Sequence, residues 1–287
     1  GIGGDQFEYN FKFICEYSNK RFAGECGANA TAEYPANVLF KRISSLQALG
    51  VVAAEPTVDR YQGSFNQQDS YSCGGHAMSF LVSCFQESGI KAIANKEGID
   101  SILELGSRIY QKAIELRAGI PKEDQKAFED HAKAEYIDSY QALAAANSQG
   151  SENSLALKFI SDFSTNTCTL KTNETEDNQK KLKDILAQLK RPDSTSSSRG
   201  LMVTTNNGFT YAIAYEKNVG GKETFAIFDS HGKAKAEVER NSPAYMQVTN
   251  DLETAARLLN ELTSRQDRDI EVDFIAIEAA SEKPTGE

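Results

Sequence analysis

The residues best suited to chemistry lie in the stretch QGSFNQQDSYSCGGHAMSFL, residues 62–81. A polar, glutamine-rich loop leads into Cys73, which is followed by two glycines and an apolar run. If a helix begins here, the unpaired N–H groups and the dipole at its start stabilise a thiolate by about 0.5–1 kcal/mol. We therefore expect Cys73 to be an exposed, nucleophilic thiol at the start of a helix.

The two glycines after Cys73 need a reason, because each is about 1 kcal/mol less favourable than alanine inside a helix. Glycine lets another backbone approach closely. We expect Gly74 and Gly75 to bind substrate by letting its main chain lie against the sulfur. The alternative for any free cysteine is a buried, hydrophobic role. We assign that role to Cys15, Cys26, Cys84 and Cys168.

A base for the thiol must come from one of three histidines. His76 lies one turn along the predicted helix and has little freedom to align, while His131 lies in the charged stretch FEDHAKAEY, typical of a solvated face. His231 follows the strand-like run TFAIFD, with Asp229 two residues before it. Side chains at i and i+2 of an extended segment share a face. Asp229 can therefore accept the Nδ1–H of His231 and leave Nε2 for the thiol.

Acyl chemistry at a thiol also needs a donor for the developing oxyanion. Gln62 opens the polar loop before Cys73 and can donate through its amide. Gln67 and Gln68, which lie in the same loop, are alternatives. The sequence predicts a cysteine, a histidine, an aspartate and a glutamine acting together.

The set YQG…SYSCGGHAMSFL, followed far downstream by FAIFDSHG, resembles the viral-tegument-type cysteine deubiquitinases. That family comprises the amino-terminal protease of herpesvirus large tegument proteins and related bacterial effector enzymes. The resemblance implies a papain-like cysteine protease fold that hydrolyses isopeptide bonds after the C-terminal Gly-Gly of ubiquitin. It assigns the catalytic roles to Cys73, His231, Asp229 and Gln62. Ser72 departs from the viral pattern, which has a glutamine there.

The order of predicted elements indicates an α+β protein, with a helical lobe first and an antiparallel sheet last. Apolar periodicity predicts helices at 35–52, 75–88, 99–117, 121–146, 155–163, 175–190 and 250–264. Alternation predicts strands at 7–17, 201–205, 209–216, 223–229 and in the closing run IEVDFIAIEA. We expect residues 1–287 to form a single catalytic domain, with a helical subdomain around 90–190 that contributes to substrate binding.

Composition limits the partners. The net charge is −10, which disfavours nucleic acid and anionic membranes and suits a basic protein surface. Five widely spaced cysteines without a CxxC pair favour neither a disulfide framework nor a zinc site. We expect no metal and no cofactor, a monomer in a reducing cytoplasm, and host cytosol for a secreted effector. The expected partner is ubiquitin or a polyubiquitin chain. Because the chain begins at Gly1, we expect an excised fragment.

Two other functions fit the same residues. A triad of this kind also serves a protease of ubiquitin-like modifiers or an acyltransferase, which differ in the acyl group or its acceptor. The chain could instead be a non-catalytic binding module whose segment 99–190 docks a partner. That alternative predicts a Cys73 thiol no more reactive than those of Cys15 and Cys168.

Overall fold

The structure is a computed structural model that describes residues 56–118, 135–149, 156–164, 166–190, 197–232 and 242–279. These residues belong to one compact unit, Pro56–Glu287. The following predicted features lie outside the described residues: the strand at 7–17, the helix at 35–52, most of 121–146, Cys15, Cys26 and His131. A single domain over 1–287 stays a prediction.

Helices and an antiparallel sheet make up this unit. The helices of the described part are α1 (Cys73–Cys84), α2 (Gly89–Ile93), α3 (Lys96–Ala118), α4 (Ser139–Ser148), α5 (Thr175–Ala187) and α6 (Leu252–Thr263). Its strands are β1 (Asp59–Gln62), β2 (Leu157–Phe159), β3 (Thr167–Leu170), β4 (Ser197–Thr205), β5 (Thr210–Lys217), β6 (Glu223–Asp229), β7 (Tyr245–Thr249) and β8 (Ile270–Ala279).

The sheet has the order β1-β7-β6-β5-β4-β8-β2, and β3 pairs with β8 as well. Each of its strand pairs is antiparallel. The expected α+β class is therefore confirmed. None of the helices in the described residues is long and apolar enough to cross a membrane.

Alternation along the strands decides which helices cover each face of the sheet. In β6, Ala226 and Phe228 belong to the core formed with α1 to α4, whereas Phe225 and Ile227 belong to the core formed with α5 and α6. Successive side chains of a strand point to opposite faces, so a strand that is apolar throughout is buried on both. The sheet therefore lies between two helical layers.

Small residues bring α1 close to the sheet. Gly200, Ala212 and Ala214 lie on the face that α1 covers, and a Cβ on Gly200 would collide with Leu81. At the same surface the rings of Phe80 and Phe228 stack with centroids 4.9 Å apart. This packing fixes the helix that carries Cys73 against the centre of the sheet.

A second close contact joins α1 to α3. A Cβ on Gly75 would lie 2.6 Å from the carbonyl oxygen of Gly106, and a Cβ on Gly106 would meet the ring of His76. The predicted substrate-binding residue Gly75 thus packs against a neighbouring helix. Its missing side chain is accounted for by that crossing.

Replacing Gly75 with alanine should lower the free energy of unfolding by about 1–3 kcal/mol, because the added methyl group overpacks the crossing with Gly106. Gly74→Ala is the matched control, since its Cβ would lie 3.2 Å from Cγ1 of Ile137, a side chain that can shift. Urea denaturation of both variants measures the difference. Equal unfolding free energies for the two would contradict this account.

Several predicted elements appear where the sequence places them. Helix 99–117 corresponds to α3, helix 175–190 to α5 and helix 250–264 to α6, and IEVDFIAIEA forms the whole of β8. The helix predicted at 155–163 is wrong, because Leu157–Phe159 pairs with β8 as a strand.

Helix 121–146 is confirmed at 139–146, which lie in α4, and is wrong at 135–138, which are not helical. The side chain of Asp138 accepts a hydrogen bond from the backbone of Gln141 at 2.7 Å and, in a capping box, starts a new helix at Ser139.

The described part of region 90–190 does not form one helical layer. Helices α3 and α4 pack on the face of the sheet that α1 covers, and α5 packs on the opposite face. Strands β2 and β3 join the sheet through β8. A contribution of this region to substrate binding stays a prediction.

Candidate active site

Cys73 is the first residue of α1, and Ser72 is the N-cap. The first backbone N–H groups of an α-helix have no carbonyl partner within the helix. The thiol was expected to be exposed, and this expectation is wrong, because Cys73 is only 2% exposed. The turn before β5 covers it, and the carbonyl oxygen of Gly208 lies 4.0 Å from Sγ.

His231 and Asp229 lie at the end of β6 and form a hydrogen-bonded pair. Nδ1 of His231 is 2.8 Å from Oδ1 of Asp229, and the same oxygen accepts the backbone N–H of His231 at 2.9 Å. Asp229 is completely buried, while the His231 side chain keeps 11% exposure. With Nδ1 occupied, Nε2 is the ring nitrogen left for another partner.

Cys73 is the neighbour on that side, close enough that the two groups shift each other's pKa. Burial raises the pKa of the Cys73 thiol, but hydrogen bonding and charge from His231, together with hydrogen bonds from Thr210, lower it overall. Burial lowers the pKa of His231, but its hydrogen bonds to Asp229 and Cys73 raise it to about 9. Each group stabilises the charged form of the other, so the geometry favours a thiolate–imidazolium pair.

The structure also shows neighbours that the sequence alone did not reveal. The edges of two rings, Phe209 and Tyr211, pack on the His231 ring with centroid distances of 5.0 and 5.6 Å. Thr210, between them, lies near the sulfur and helps to lower the pKa of Cys73. The turn NNG before β5 is a local signal for a hairpin. No local signal places that hairpin beside a cysteine on another element.

A cleft of about 780 Å³ leads away from Cys73 between the start of α4 and the strands β4 and β8. Its lining at the Cys73 end comes from Gly74, Gly208 and Thr210. Gly74 and Gly208 add no side chain to this end of the cleft. A substrate-binding role for Gly74 stays a prediction.

The three glutamines proposed for the oxyanion lie in different settings. Gln62 is the last residue of β1, pairs with Tyr245 and is exposed. Gln67 donates from Nε2 to the carbonyl oxygen of Asp69 at 2.8 Å, and Gln68 donates to that of Asn66 at 2.8 Å. In each of these glutamines, an amide N–H already donates to a carbonyl oxygen of the same loop. A role for Gln62 at the oxyanion stays a prediction.

His76 is not oriented by a carboxylate. It is 2% exposed beside Gly106, and its Nδ1 has no hydrogen-bond partner. Burial lowers its pKa to about 4. His76 is therefore a neutral, buried side chain of the helix crossing.

His76 should make the fold sensitive to acid. The unfolded chain binds the proton near pH 6.5 and the native state only near pH 4, so stability is lost as the pH falls through this window. The loss approaches about 3 kcal/mol at low pH. Replacing His76 with methionine should flatten this limb of a stability-versus-pH curve measured by urea denaturation. An unchanged acid limb in that variant would contradict the assignment.

No group of three or more His, Cys, Asp or Glu side chains that could hold a metal ion is found in the part of the chain that the structure describes. Cys84 is buried in α1, in agreement with its predicted packing role. Cys168 is half-buried in β3, and burial raises its thiol pKa to about 11. Among the described cysteines, Cys73 alone has a lowered pKa.

Comparison with known proteins gives a likeness of fold to a solved structure. No family model and no curated protein matches the chain. Among solved structures, the chain is similar to the ubiquitin-specific protease of murine cytomegalovirus tegument protein M48, solved in complex with a ubiquitin-based suicide substrate. The two are 13% identical over 80% of this chain and 90% of that chain, with a TM-score of 0.47. A likeness at this level carries no argument about function, which must rest on the site itself.

Proposed function

We propose that the chain is a cysteine deubiquitinase with a papain-like arrangement of a central helix against a sheet. The observation that carries the proposal is the placement of Cys73, at a helix start, next to His231, whose ring is hydrogen-bonded to the buried carboxylate of Asp229. A thiol, an imidazole and a carboxylate in this order form the general arrangement of an activated nucleophile.

The proposed reaction begins with attack of the Cys73 thiolate on the carbonyl carbon after Gly-Gly. The imidazolium of His231 then gives its Nε2 proton to the departing lysine amine, which leaves a thioester on the sulfur. Neutral His231 next takes a proton from water as the water attacks the thioester, and the thiolate is released with a free carboxylate. Asp229 holds the ring and stabilises its positive form in both steps.

Ubiquitin is proposed as the substrate on two grounds. The motifs around Cys73 and His231 resemble those of the tegument-type deubiquitinases. The cleft mouth between Gly74 and Gly208 also favours a tail without side chains next to the scissile carbonyl. The first backbone N–H groups of α1 and the amide of Gln62 are the proposed oxyanion donors.

The test is hydrolysis of a ubiquitin C-terminal fluorogenic amide, followed by cleavage of a panel of linkage-defined diubiquitins. Hydrolysis that depends on Cys73 supports the proposal. If the thiol is activated but ubiquitin is not cleaved, the triad acts on a ubiquitin-like modifier or transfers an acyl group. A Cys73 thiol of ordinary reactivity would instead favour the binding module.

A further inference from the structure

The loop between β1 and α1 is hydrogen-bonded to the segment that carries His231. The backbone N–H of Gln67 donates to the carbonyl oxygen of Ser230 at 2.9 Å. The Ser230 hydroxyl donates back to Oε1 of Gln67 at 2.6 Å. Ser230 is 1% exposed and stands between Asp229 and His231 in the chain. Gln67 thus binds the residue that separates the two members of the imidazole–carboxylate pair.

The other end of the same glutamine reaches the segment that carries Cys73. Nε2 of Gln67 donates to the carbonyl oxygen of Asp69 at 2.8 Å. Oδ1 of Asp69 in turn accepts the backbone N–H groups of Tyr71 and Ser72, both at 2.7 Å. This side-chain turn fixes the two residues immediately before Cys73.

These hydrogen bonds connect the two halves of the catalytic pair without passing through the site. The side chain of Asn66 adds a parallel contact by donating to the carbonyl oxygen of His231 at 3.3 Å. Both polar atoms of the Gln67 side chain have a protein partner, Asp69 for Nε2 and Ser230 for Oε1. A rigid connection matters here because a displacement of about 1 Å between reacting groups can cost about 100-fold in rate.

We propose that Gln67 and Asp69 are positioning residues that set the separation between the Cys73 sulfur and the His231 ring. The inference deepens the proposed function and rests on it for its effect on catalysis. Gln67 anchors the His231 segment, and Asp69 anchors the start of α1. Neither residue touches the reacting atoms.

The test is the pH dependence of Cys73 alkylation by iodoacetamide, followed by mass spectrometry of the peptide that contains Cys73. Gln67→Ala should move the pH midpoint of alkylation towards that of an ordinary thiol. The same variant should lower kcat/KM about tenfold or more, through a lower kcat. Gln86→Ala is the matched control, because its amide donates to the carbonyl oxygen of Val82 at the far end of α1, at 3.0 Å. It should leave both quantities unchanged.

A pair of variants at Asp69 separates geometry from charge. Asp69→Asn keeps an acceptor oxygen for the N–H groups of Tyr71 and Ser72 and should behave like wild type, whereas Asp69→Ala should shift the midpoint as Gln67→Ala does. If the pH midpoint of Cys73 alkylation is low in the wild type and neither alanine variant changes it, this inference alone is overturned. If the wild-type midpoint is that of an ordinary thiol, His231 does not activate Cys73. That result contradicts both the proposed function and the positioning role of Gln67 and Asp69. A lowered midpoint without ubiquitin cleavage overturns only the proposed substrate.

Discussion

Replacing Cys73 with alanine should reduce hydrolysis of a ubiquitin C-terminal fluorogenic amide by roughly 10⁴-fold or more, because it removes the sulfur that forms the thioester in the proposed reaction. Cys84 is buried in α1, and burial raises the pKa of Cys168 to about 11. Neither thiol is therefore able to replace the nucleophile. Steady-state kinetics of the purified variant measure the loss.

Labelling gives a sharper form of the same test. A ubiquitin carrying a C-terminal electrophile should modify the wild-type chain and the Cys168→Ala control, and should not modify Cys73→Ala. Because Cys73→Ala only replaces a buried SH group with hydrogen, the fold and the affinity for ubiquitin should be retained. Circular dichroism and a binding titration check both points. Equal labelling with and without Cys73 would refute the nucleophile assignment.

The second large effect concerns the ion pair. As the pH rises through the lowered pKa of Cys73, the thiolate forms; as it rises through about 9, His231 loses its proton. Activity should therefore rise through the first value and fall through the second, and both limbs belong to the pair as a unit. The pH dependence of kcat/KM from mildly acidic to alkaline buffer measures both limbs.

Removing the imidazole should break the pair. In His231→Ala the buried sulfur loses its main stabilising partner, so the pKa of Cys73 should rise and activity should fall by about 10³-fold or more. Asp229→Asn should keep the ring in place but lower the pKa of His231, which moves the alkaline limb down. Thiolate absorbance in the ultraviolet follows the sulfur directly. A Cys73 titration that is the same in wild type and His231→Ala would contradict the coupling.

Local pattern specifies many of the elements. Alternation in IEVDFIAIEA marks β8, and the polar turn NNG marks the hairpin between β4 and β5. The secondary-structure predictions fail in short segments whose local sequence fits more than one type of element. Residues 157–159 read as a helix from their apolar content, but the free edge of β8 makes them a strand. The cap at Asp138 starts a helix inside a stretch that periodicity reads as one helix.

By itself the sequence determined the chemistry available to this protein: a cysteine at a helix start with glycines after it, and an aspartate two residues before a histidine at a strand end. Only the tertiary structure decided that this cysteine and this histidine lie near each other. It also placed Thr210 against the sulfur, turned Gly75 into a helix contact, and gave Gln67 a place between the two halves of the pair. The physical reason is that side-chain periodicity reports which face of an element is buried, whereas the meeting of distant loops depends on strand pairing and helix packing across the whole sheet.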